Sequence, residues 1–168
     1  GSVITTKTKI LDKTSYNKVL GLYEINDRSL TAREETDLYN LIKKQIKNYD
    51  FIIVADYDHG LISKNLFKKI SSLNKKIIST SQLNAANSAY HNLKKLDGSD
   101  LMVINFNELI SFFKRRDLKN KEPVYLGKKF LNETKIKNLI ITVGSDGSYY
   151  LSKKNYFYFP ALAENIVG

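Results

Sequence analysis

From Thr31 onward the chain alternates short apolar runs with stretches whose apolar residues return every third or fourth position. No other feature narrows the available folds as much. Phe51-Ile52-Ile53-Val54-Ala55 is continuously apolar, the pattern of a parallel strand covered on both faces. Before it, Thr31 with Glu34 forms a capping box, and Leu38, Leu41, Ile42 and Ile46 make one helical stripe that ends at Tyr49-Asp50. The unit then repeats. Ser63 caps a helix carrying Leu66, Phe67 and Ile70, and Lys76 to Ser79 is the next strand. A helix from about Asn84 to Leu96, a strand over Leu101 to Ile104, helices over Glu108 to Arg116 and about Val124 to Asn132, and a strand over Leu139 to Val143 follow. Such alternation predicts βαβ crossovers: an α/β fold with a mostly parallel sheet flanked by helices in three layers, a Rossmann-like core.

The two ends read differently. Val3 to Leu11 and Tyr16 to Tyr23 are rich in β-formers and predict a hairpin or exposed β-flap. Ser148 to Leu151 and Tyr156 to Phe159 flank Ser152-Lys153-Lys154-Asn155, an antiparallel hairpin. At 168 residues the chain is read as one domain, with a flap over 3–25 and an α/β core over 30–168. Gly1-Ser2 has the form of a tag remnant. The chain starts inside the flap and stops at Asn165-Ile166-Val167-Gly168 without a closing helix, so residues 3–168 are expected to be the central fragment of a longer domain.

Composition excludes several classes of function. With no cysteine there is no disulfide, zinc-thiolate site or thiol nucleophile, which fits a cytoplasmic setting. No apolar run approaches the roughly 18 residues that span a bilayer, and the start carries no secretory h-region. Net charge is +10, but only Arg28, Arg33, Arg115 and Arg116 among the 27 basic residues are arginine. Nucleic-acid readers favour arginine for its two-pronged grip, so scattered lysine pairs such as Lys43-Lys44 and Lys94-Lys95 read as a solvated surface, and a nucleic-acid partner is not expected.

Four polar signals mark the ends of the predicted strands: Asp56-Tyr57-Asp58-His59-Gly60, Gln82-Leu83-Asn84-Ala85-Ala86-Asn87, Asn105-Phe106-Asn107-Glu108 and Thr142-Val143-Gly144-Ser145-Asp146-Gly147. Loops at the carboxyl ends of parallel strands share one edge, where ligands bind. Asp56 can accept hydrogen bonds from sugar hydroxyls or help hold a metal; equally, Asp56 and Asp58 can cap a tight turn. Asn105 and Glu108 form an amide-carboxylate pair suited to magnesium, or else they cap a helix, with Asn107 as a competing N-cap. Gly144 and Gly147 permit positive φ and close approach of a phosphate, or make a plain turn. His59 and His91 have no third partner that would suggest a Ser-His-Asp or zinc site; His91, in a helical stretch, reads as structural or exposed.

In order and over nearly the whole chain, these residues resemble the ribokinase (PfkB) family of sugar kinases, nearest to the heptose-phosphate kinase domains of ADP-heptose synthase-type proteins. Thr5-Thr6-Lys7-Thr8-Lys9-Ile10 with Asn17-Lys18-Val19-Leu20 is similar to that branch's "TxxKxR…NQQLxRxD" flap. Asp56 to Gly60 resembles "DYxKG", Asn105-x-x-Glu108 resembles "NxxE", and Thr142-x-Gly144-x-x-Gly147 resembles "TxGxxG". The resemblance implies a ribokinase-like fold, ATP and Mg2+ as cofactors, a nucleotide and a sugar as partners, and a homodimer through the flap. It implies metal organisation by Asn105 and Glu108, nucleotide contact at Thr142, Gly144 and Gly147, and substrate or phosphate contact at Asp56 and Asn84. The family's base lies in a "GAGD" motif expected beyond Gly168, so no catalytic residue is assigned and the fragment alone is expected to be inactive. His59 stands where the branch has lysine, and Gly21 and Tyr23 where its flap has arginine and aspartate. The alternative is a non-catalytic ribokinase-like module for assembly or regulation.

Overall fold

The computed structural model describes residues 6–24, 28–83, 91–114 and 122–162. Its core is a six-stranded sheet: β3 (Phe51–Asp56), β4 (Lys76–Ser81), β5 (Leu101–Asn105), β6 (Asn138–Thr142), β7 (Ser148–Ser152) and β8 (Tyr156–Phe159). They lie in that spatial order, β3 to β6 parallel and β7 and β8 antiparallel. The predicted parallel sheet and terminal hairpin are both present. A second sheet pairs β1 (Thr6–Leu11) with β2 (Lys18–Glu24), antiparallel, as the predicted flap.

Among the described residues four α-helices accompany the sheet: α1 (Ala32–Gln45), α2 (Lys64–Ser71), α3 (Phe106–Phe112) and α4 (Pro123–Glu133). Thr31 caps α1 through the predicted capping box: its hydroxyl accepts from the Glu34 amide, and the Glu34 carboxylate accepts from the Thr31 amide. Arg28 grips the same carboxylate at 2.7 and 2.9 Å, which with the cap lowers the Glu34 pKa to about 2. Ser63 caps α2 as read from the sequence, accepting from the Leu66 amide.

One face of the sheet is deeply covered. Register aligns Val54 with Ser79, Ser79 with Met102, Met102 with Leu139, and Leu139 with Leu151, all buried under the helices. Leu66 and Phe67 of α2, Leu109 of α3, and Leu126 and Phe130 of α4 complete this core. Phe112 meets Phe130 edge-on, centroids 4.7 Å apart, a contact worth about 0.5–1.5 kcal/mol beyond area burial.

Cover on the other face is shallow. Phe51 and Ile53 of the edge strand β3 are 49% and 64% exposed, so the expectation of a strand covered on both faces holds only for its inner side. Other differences are local. Leu41 is exposed while Tyr39 packs on the core, so the α1 stripe is rotated from the predicted one. Helix α3 starts earlier than predicted because Asn105, not Asn107, is its N-cap, and it ends before Lys114, whose φ of 51° is left-handed. The predicted helix to Leu96 is represented among the described residues by one 3-10 turn, Leu93–Leu96. No described helix is long and apolar enough to cross a membrane.

Candidate functional site

A cleft of about 330 Å³ opens where β3 to β6 end, lined by Asp56, Tyr57, Thr80, Ser81, Gln82, Val103, Ile104, Asn105, Glu108 and Thr142. Parallel pairing produces the convergence: Asp56 is level with Ser81 across β3 and β4, and Asn105 with Thr142 across β5 and β6. Four of the seven predicted site residues, Asp56, Asn105, Glu108 and Thr142, therefore share one cavity. Gly144 and Gly147 occupy the adjoining turn, outside the cleft lining, and Asn84 lies outside the described residues.

Asn105 and Glu108 cap helix α3. The Asn105 Oδ1 accepts from the Glu108 amide at 2.9 Å, while Glu108 Oε2 accepts from the Asn105 amide at 2.7 Å. Glu108 Oε1 accepts from the Leu83 amide at 2.9 Å, tying the loop after β4 to the helix. The capping reading of this pair is thus correct, and the pair also faces the cleft. Burial of Glu108 is tolerable because backbone amides occupy both of its oxygens.

Asp56 is buried at the end of β3. Its Oδ1 accepts from the Asp58 amide at 3.1 Å, an Asx turn that helps hold Asp58 at a φ of 58°. Among the described residues its Oδ2 accepts no hydrogen bond, yet it lies 2.6 Å from the Lys95 ammonium, in ion-pair range. Lys95 also pairs with Asp58 Oδ1. Its side chain is 12% exposed, so Lys95 leaves the solvated set to which the sequence assigned it. Two aspartates two residues apart in a tight turn call for a cation. Nothing in their local sequence shows that it comes from residue 95.

His91 is also structural rather than helical. It bridges Ser81 Oγ at 3.1 Å and Ser111 Oγ at 3.2 Å, and Ser111 donates to the Glu108 carbonyl. Burial holds its pKa below the ordinary histidine value, against the raising influence of Asp58, Glu108 and Asp56.

After β6, Gly144–Asp146 forms one 3-10 turn. Gly147 has a φ of +88°, and a Cβ there would meet the Phe159 carbonyl oxygen at 2.1 Å, so this turn requires glycine to let β8 pass. Gly144, φ +55°, has open space where a Cβ would stand.

Among the described residues no three His, Asp or Glu converge as an all-protein metal cage. The donor chemistry nevertheless fits a hydrated hard cation held through its waters: Asp56, ion-paired with Lys95, and Glu108, bonded to two backbone amides, put two carboxylates on one cleft.

A family model described as pfkB family carbohydrate kinase matches residues 3–167. Comparison with curated protein sequences gave no match. Among solved structures, phosphofructokinase-2 from Escherichia coli in complex with fructose-6-phosphate is similar at 16% identity and a TM-score of 0.61, covering 92% of this chain and 50% of that one. The tetrameric inhibited form of the same enzyme gives 14% identity and a TM-score of 0.67, covering 90% and 49%. Ribokinase from Thermotoga maritima gives 15% identity and a TM-score of 0.65, covering 96% and 49%. The chain spans about half the length of the solved proteins it matches, and the likeness is one of fold.

Proposed function

The chain belongs to the pfkB family of carbohydrate kinases, and from that premise we propose that its cleft is the magnesium-nucleotide side of a kinase that transfers phosphate from ATP to a hydroxyl of a sugar or sugar phosphate. One observation carries the reading: Asp56, Asn105, Glu108 and Thr142, drawn from three strand ends and the start of α3, line a single cavity. Phosphoryl transfer needs chiefly positioning and charge neutralisation, which polar groups on a rigid sheet edge provide.

In this reading ATP lies along Thr142 and the Gly144–Gly147 turn, where the open space beside Gly144 admits a phosphate or ribose. Magnesium would neutralise phosphate charge. Glu108 already accepts two backbone amides, so with Asn105 it would face the waters that magnesium retains. Asp56 and Asn84 would stand on the acceptor side. A heptose-phosphate-like acceptor is supported by the likeness of Asp56 to Gly60 to its branch's motif, with His59 as the departure. The flap is the proposed homodimer surface, supported by the exposed Ile10, Leu20 and Leu22 on one of its faces. A kinase drawing on ATP is placed in the cytoplasm.

These 168 residues contain no Gly-Ala-Gly-Asp sequence, so we propose that they transfer no phosphate by themselves. The departures at His59, Gly21 and Tyr23 support a second reading, a non-catalytic ribokinase-like module for assembly or regulation within a larger protein. Thermal unfolding and hydrogen exchange with ATP and Mg2+ test the site. The expected outcome is a raised Tm with slower exchange over residues 142–147; no change in either would overturn the nucleotide reading. A coupled assay should show no sugar-dependent ADP release above background, and clear turnover would overturn the claim of inactivity.

A further inference from the structure

Lys95 stands on the 3-10 turn Leu93–Leu96, between two buried leucines, and points its ammonium at the end of β3. There it lies 2.6 Å from Asp56 Oδ2 and pairs with Asp58 Oδ1. The remaining carboxylate oxygens are engaged by backbone: Asp56 Oδ1 by the Asp58 amide and Asp58 Oδ2 by the Asn92 amide, each at 3.1 Å. Asp56 Oδ2 alone accepts no hydrogen bond among the described residues, although the Asp56 side chain is only 2% exposed. It is held by charge. An ammonium buried to this degree is stable only when paired, and a lysine has three donors to offer and no acceptor.

We infer that Lys95 is the resident cation of the Asp56–Asp58 pair, a positioning residue that fixes the Asp56 carboxylate in the cleft wall and sets by its charge how strongly the cleft takes a divalent cation. Two carboxylates against one ammonium leave one uncompensated negative charge behind the cleft wall, where Asp56 shares the lining with Glu108. Removing the ammonium doubles that excess, and removing the Asp58 charge cancels it. A divalent ion reads this ladder directly, since its attraction scales with the net charge it meets. The inference deepens the reading of the cleft as a metal-nucleotide site and rests on that reading only for calling the cation physiological.

Mn2+ serves as the probe, with free ion counted by electron paramagnetic resonance in solutions of the full 168-residue chain. Lys95→Met should bind Mn2+ roughly tenfold more tightly than the parent and Asp58→Asn more weakly, while Lys95→Arg should match the parent. Mn2+ should also recover the Tm that Lys95→Met loses in chelator, which a lysine with a purely structural role would not show. Equal Mn2+ affinity across the series, or a Tm loss that Mn2+ does not recover, overturns the inference. If Lys95→Met does not fold, parent against Asp58→Asn decides: weaker binding in the variant supports the inference and equal binding overturns it. The intact affinity order with no response to ATP would sink the nucleotide reading and leave the role of Lys95 standing.

Discussion

The flap and the core sheet are both β-structure, but they are held in different ways. In the flap, β1 and β2 are joined by a turn in which the Asp12 carboxylate accepts from the Thr14 and Ser15 amides and the Ser15 hydroxyl. Those contacts hold the Asp12 pKa below the usual carboxylate value. Ile10 pairs with Leu20, and with Leu22 they form an apolar face that remains exposed. In the core the equivalent residues, Val54, Met102, Leu139 and Leu151, sit under helices and are buried. The flap is specified locally and the core by the packing of distant segments. A two-stranded ribbon is marginal in water without something to cover its face.

That contrast can be broken by mutation. Phe130→Ala in the core removes a fully buried ring that meets Phe112, and should cost about 3–5 kcal/mol in denaturant unfolding. A smaller effect is expected at the junction of core and cleft. The folded His91 is harder to protonate than the unfolded one, so the unfolded state binds more protons as pH falls. Stability from this group should be complete above about pH 6.5 and decline below it, and His91→Gln should flatten that decline in Tm measured against pH. The smallest effect belongs to the flap. Leu20→Ser should change the stability of the monomer by no more than about 0.5 kcal/mol, while lowering self-association measured by analytical ultracentrifugation. A large loss of monomer stability would show the flap to be as deeply coupled as the core.

The same contrast explains what could be read in the sequence. Strands, caps and the parallel order were legible because they follow from local signals: the Phe51 to Ala55 run, the Thr31 and Ser63 caps, and the polar clusters after each strand. The convergence of Asp56, Asn105 and Glu108 was legible because pairing in register makes neighbouring strand ends meet; Gly144, expected with them, sits in the adjoining turn, and Thr142 takes that place in the lining. Lys95 was not. Its neighbour Lys94 has the same local composition, and only the packing of Leu93 and Leu96 sends Lys95 inward. The structural reading of His91 holds, but its partners were not legible for the same reason, since Ser81 and Ser111 reach it from separate elements. The exposure of Ile53 depends on the position of β3 at the sheet edge, which composition does not encode.

The double duty of Glu108 has a consequence for how this cleft can change. One carboxylate fastens the loop after β4, closes the first turn of α3 and faces the cavity. Exchanging it to suit another ligand would loosen two pieces of scaffold at once, so ligand preference is more cheaply altered at neighbours without such obligations.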